Sequence, residues 1–167
     1  EATVFDTGTN AWKTYPAWPP PATEARTLYF QEAGRLAFVF ETEVEKALYN
    51  RLPSLGLPEA TPRAAFTPYL SDPANPVPYT AGVHGGRNNE YMTEDQRFAT
   101  RRPDVLTFQT EPLANDLTLA GPLAADLFVS TTGTDADFVV KLIDVLPADA
   151  PAPVPNPTKL QMAGYQR

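Results

Sequence analysis

The 167 residues suit one domain, folding of which buries roughly 70% of the unfolded surface, and an apolar share of 43% excludes wholesale disorder. A net charge of −7 and the absence of cysteine argue against a nucleic-acid partner and remove disulfides, thiol nucleophiles and Cys-ligated zinc. Nineteen prolines against nine glycines force short elements joined by fixed turns, which favours an all-β sandwich over a helical bundle.

In chain order, Thr3-Val4-Phe5 opens a strand and Asp6-Thr7-Gly8-Thr9-Asn10 supplies turn chemistry after it. Ala11 to Tyr15 continues as a strand, and Pro19-Pro20-Pro21 imposes an extended, polyproline-like path. Thr27–Gln31 and Arg35–Phe40 flank Glu32-Ala33-Gly34, which reads as a hairpin with Gly34 at the bend. Thr42 and Glu45 form a capping box, and Val44, Leu48 and Leu52 have helical spacing, so a short helix is predicted over about 43–52, ended by Pro53. From about 41 to 95 the chain reads as one long irregular excursion.

The last third alternates most clearly. Strands are predicted over 104–110, 117–121, 123–130 and 137–146, separated by Gly-Pro and Thr-Gly-Thr-Asp turns. In the last of them Val139, Ile143 and Val145 share a face with Lys141, while Phe138, Val140 and Leu142 lie on the other. The segment 147–157 is proline-rich and reads as a solvated loop. No apolar run approaches the roughly 20 residues of a membrane span, which gives no reason to expect a membrane partner.

Chemistry is sparse. A serine hydrolase presents its nucleophile on a Gly-x-Ser-x-Gly elbow, yet none of Ser54, Ser71 and Ser130 has glycine on both sides, Ser54 having only Gly56 after it, and the one histidine, His84, sits in a Gly-Val-His-Gly-Gly loop. No catalytic residue is therefore assigned within these residues. One histidine and no cysteine make catalytic zinc improbable. Asp126, Asp135 and Asp137 could converge as oxygen ligands for calcium, but the favoured reading is that Gly133-Thr134-Asp135 is a turn and Asp137 a solvated or capping carboxylate, so no metal or cofactor site is assigned. Arg87, Arg97, Arg101 and Arg102 alternate with Glu90, Glu94, Asp95 and Asp104, a pattern of local ion pairs and not a basic patch. Trp12, Tyr15 and Trp18 would suit either a sugar-stacking platform or packing on the sandwich or an adjoining domain, and packing is the expectation.

The motifs themselves resemble a family. Phe5-Asp6-Thr7-Gly8-Thr9-Asn10-Ala11-Trp12, Trp18-Pro19-Pro20 and Thr27-Leu28-Tyr29-Phe30 are similar to the start of the C-terminal domain of serine hydrolases of the α-amino-acid ester hydrolase, cocaine esterase and Xaa-Pro dipeptidyl-peptidase family. Ser71 to Tyr79 resembles the proline-rich connection of that domain. Asp95-Gln96-Arg97, Arg102 to Phe108, Gly133 to Val145 and Gly164-Tyr165-Gln166 follow in the same order, while about 41–66 looks longer and more helical than the family pattern. The resemblance implies a galactose-binding-like jelly roll over 1–167, incomplete at its C-terminus, with the excursion 41–95 inside it. It implies as partner an upstream α/β-hydrolase domain of the same polypeptide, which carries the catalytic triad and whose cleft the jelly roll helps to wall. Oligomerisation of the parent stays open. Both ends read as cut from something longer: Glu1 is no initiator Met, and further strands are expected after Tyr165. The alternative is a freestanding carbohydrate-binding module with Trp12 and Trp18 as its platform.

Overall fold

A computed structural model describes residues 1–39, 66–86 and 89–167. The predicted helix over 43–52 and Ser54 lie outside the described residues. The chain falls into two compact units, one built from Glu1–Arg63 and Phe108–Phe138, the other from Ala64–Thr107 and Val139–Arg167.

In the first unit, β1 (Ala2–Asp6) pairs antiparallel with β2 (Ala11–Tyr15), from Ala2↔Tyr15 to Asp6↔Ala11. The turn is closed by one carboxylate: Asp6 Oδ1 accepts from the backbone N–H groups of Gly8 and Thr9, each at 2.9 Å. Asn10 takes φ 54°, a left-handed conformation that Asn tolerates because its short side chain can bond locally. Lys13 binds the other oxygen, Asp6 Oδ2, across a diagonal of the same hairpin face. The Lys13 hydrogen bond, then the Thr9 N–H, hold the Asp6 pKa down at about 2 against 3.8.

The second predicted hairpin also forms, with β3 (Tyr29–Gln31) antiparallel to β4 (Arg35–Ala37). A 3₁₀ turn over Glu32–Gly34 joins them, with φ 58° at Ala33 and 73° at Gly34. Gly34 adopts that backbone without the Cβ penalty. Gln109 docks beside β4 as a single parallel bridge to Arg35, donating to the Gly34 carbonyl at 2.8 Å and accepting from Leu36 N–H at 2.9 Å. Next to it the rings of Phe30 and Phe108 pack with centroids 4.6 Å apart.

The second unit carries a 3₁₀ turn, Glu90–Met92, and one helical turn, α1 (Arg97–Thr100), within the stretch read as irregular up to 95 and just after it. Asp144 and Arg167 exchange both backbone hydrogen bonds, at 2.6 and 3.0 Å, and Leu146 N–H donates to the Tyr165 carbonyl at 2.8 Å. These bonds frame an antiparallel bridge at Val145↔Gln166.

Among the described residues the structure is thus mostly non-helical, with two short hairpins as its sheets. The longer strands predicted over 104–110, 117–121, 123–130 and 137–146 are corrected: none forms a ladder, and only Gln109 and Val145 make bridges. Alternating side chains favour an extended backbone, but a strand also needs a partner for its N–H and C=O groups. Many apolar side chains of these segments accordingly stay wet, with Val139 82% and Leu123 72% exposed, while Ala99 is the buried apolar residue among those described.

Candidate functional site

The densest polar construction lies in the second unit, around Asp95-Gln96-Arg97. Gln96 is 5% exposed, and burial obliges its amide to find partners. Its Nε2 donates to the Glu94 carbonyl at 2.8 Å, and its Oε1 accepts from Lys141 Nζ at 2.6 Å. Its backbone N–H donates to the Gln166 carbonyl at 2.8 Å, and its carbonyl accepts from Ala99 and Thr100 as α1 begins. Thr100 Oγ1 is 3.0 Å from Gln166 Oε1, and Tyr165 donates its hydroxyl to the Thr93 carbonyl at 3.0 Å. One buried glutamine therefore fastens the run before α1 to Lys141 and to Gln166.

Two arginine–aspartate pairs flank it. Arg97 Nε donates to Asp95 Oδ2 at 2.7 Å, Nη2 binds the same oxygen, and Nη1 reaches the Ala163 carbonyl at 3.2 Å. Burial pushes the Asp95 carboxyl up, but the hydrogen bonds and charge of Arg97, with the Gln166 N–H, outweigh it and hold the pKa below the ordinary value. Arg102 grips Asp104 with both ends of its fork, at 2.8 and 2.7 Å, and Nη2 also donates to the Asn75 carbonyl at 2.8 Å. That hydrogen bond from Arg102 lowers the Asp104 carboxyl. The interleaved charges thus form local pairs at Arg97 and Arg102, and each arginine also ties in a distant carbonyl.

A cleft of about 220 Å³ opens beside this node, lined by Tyr91, Met92, Gln96, Lys141, Leu142, Ile143 and Arg167. It holds two cations and no nucleophile with an adjacent base. Chemically it is a polar clasp next to an apolar trough.

The other residues singled out in the sequence are scattered. His84, Ser71 and Ser130 are exposed, and among the described residues no hydrogen bond joins Ser71 to His84. Asp135 Oδ1 accepts from Ala136 N–H at 2.9 Å, and Gly133 N–H donates to Thr131 Oγ1 at 3.0 Å, which is turn geometry. Among the described residues no three His, Cys, Asp or Glu side chains gather as a metal site would require. Within this chain Trp12 is 71% exposed, touching Phe5 edge-to-face at 5.3 Å, so of the two kinds of packing expected for it the one on the rest of this chain does not form. Hydrophobicity predicts that an indole is covered, but not that the cover comes from the same chain. In the sequence Gln96 is only the middle of the Asp95-Gln96-Arg97 motif. The one signal for its partner was Lys141, a charge interrupting an otherwise apolar alternation.

Among the described residues this polar node stands without an assembled triad. Residues 1–161 match the X-Pro dipeptidyl-peptidase C-terminal non-catalytic domain. The chain belongs to that family. It is also 33% identical over 144 residues to the cocaine esterase of Rhodococcus sp. (strain MB1 Bresler), an alignment that takes in 86% of this chain and 23% of that esterase. The chain thus spans about a quarter of the length of that curated relative. No solved structure matches it at a significant level. The motif-by-motif resemblance and the family assignment coincide, and in the relatives such a domain follows a catalytic hydrolase domain.

Proposed function

We propose that this X-Pro dipeptidyl-peptidase-type C-terminal domain is the accessory jelly roll of a serine hydrolase. In this reading residues 1–167 form one sandwich with the excursion 41–95 inside it. The sandwich packs on an α/β-hydrolase domain of the same polypeptide, which supplies the Ser, His and Asp, and it walls that domain's cleft. The substrates are esters or amides of α-amino acids, including Xaa-Pro peptides. One observation carries the reading: a match over residues 1–161 to a domain described as non-catalytic. The scattered Ser71, Ser130 and His84 support it, because acyl transfer needs nucleophile and base within hydrogen-bond reach.

The exposed Trp12 also suits the second reading, a sugar-binding module. The two are separated by assaying the purified 167-residue chain and the longer protein that carries it against p-nitrophenyl esters, amino-acid esters and Xaa-Pro anilides. The chain alone is expected to be inactive and the longer protein active. Turnover by the chain alone that His84→Ala abolishes would refute the accessory role.

A further inference from the structure

The β1–β2 hairpin has two unlike faces. In its register Thr3 lies opposite Thr14 and Phe5 opposite Trp12, so these four side chains project from one face, and all four are exposed. Phe5 and Trp12 meet edge-to-face at an interplanar angle of 63°, and the hydroxyls of Thr3 and Thr14 are 3.3 Å apart. The opposite face carries the charges of the hairpin, closed into the Asp6–Lys13 pair, and is half-buried. An uncharged face of two aromatics flanked by hydroxyls has the composition of an interface centre, where charge is depleted and Trp and Phe are enriched. The indole N–H also requires an acceptor once water leaves.

The family supplies the occupant. The aligned segment is 23% of the cocaine esterase, so most of that esterase lies outside it. A domain named C-terminal and non-catalytic has its catalytic neighbour on the sequence side where this hairpin lies. Covalent connection holds such a neighbour at an effective concentration that a free ligand rarely matches.

Resting on the accessory-domain reading, we infer that the Thr3–Phe5–Trp12–Thr14 face docks on the catalytic domain of the same polypeptide. The surface it meets is apolar and uncharged, and offers an acceptor to Trp12 Nε1–H. Hydroxyl-radical footprinting of the intact longer protein, read by mass spectrometry at Trp12, tests this. Trp12 should oxidise about an order of magnitude more slowly than in the same peptide of a proteolytic digest, as befits a desolvated interface centre. Thr14→Lys, which sets an ammonium on that face and leaves both rings in place, should restore the fast rate. Full-rate oxidation of Trp12 in an intact, hydrolytically active protein overturns the docking assignment and leaves the accessory role standing. A longer protein without a hydrolase domain overturns both. Protection that grows with protein concentration assigns the face to a second copy, and protection that appears only with added oligosaccharide assigns it to a sugar; either result overturns the inference.

Discussion

Replacing Gln96 by Ala removes a buried amide that bridges two segments while leaving the backbone bonds of residue 96 to Gln166, Ala99 and Thr100 available. The neutral bond to the Glu94 carbonyl contributes about 1 kcal/mol. The bond from Lys141 would contribute more if both groups were buried, but Lys141 is exposed and its ammonium regains water, so it too counts for about 1 kcal/mol. Loss of one packed methylene adds about 0.8 kcal/mol. The sum is about 3 kcal/mol, a large part of the 5 to 15 kcal/mol that typically separates folded from unfolded. For a domain of this size that lowers Tm by about 6 to 12 °C. The assay is thermal and urea unfolding of the longer protein, following the transition of this domain, for Gln96→Ala, Lys141→Met and the double variant. The cycle should return a coupling of about 1 kcal/mol between the two positions. A Gln96→Ala midpoint within about 0.5 kcal/mol of wild type would mean that Gln96 is an ordinary surface residue. A coupling of zero would mean that the Lys141 bond does not form in solution.

Acid should loosen the first hairpin. Asp6 has a folded pKa of about 2, below its ordinary 3.8, so its contribution is present above pH 3.8 and is lost as pH falls from there through about 2. Asp95 and Asp104 are lowered in the same direction. Asp6→Asn keeps an acceptor for Gly8 and Thr9 but should flatten the part of the acid limb due to Asp6, read as Tm against pH; an unchanged limb would show that the Lys13 pair is open in solution. Gly121 has φ 110°, and a Cβ there would sit 3.1 Å from Pro19 Cβ, so Gly121→Ala should cost about 1 to 3 kcal/mol. Because most of that is backbone strain, Pro19→Gly in the same chain, which removes the contacting Cβ, should recover only a minor part, and full recovery would locate the cost in the contact instead.

How much of this could be read from the sequence follows from how far apart the partners lie. Asp6 bonds N–H groups two and three residues away, and Gly34 turns β3 onto β4 across three residues, so both hairpins were legible as turn chemistry between short apolar runs. The lack of a serine with glycine on both sides was equally plain, as was the ordered series of motifs that the family assignment bears out. Gln96 was not legible as a node, because its amide meets Lys141 across 45 residues and its neighbours Thr100 and Thr93 meet Gln166 and Tyr165 across 66 and 72. A lone glutamine carries no pattern that names such partners. The alternation over 123–130 and 137–146 marked which side chains share a face, but not which backbone lies alongside. Trp12 shows the same limit: its composition asks for cover, and only the register of β1 with β2 puts it beside Phe5 on the outward face. Local conformation is set by side chains acting on their own backbone. Pairing and burial depend on segments brought together from far along the chain, where the entropy of closing the loop must be met by contacts that no single segment contains.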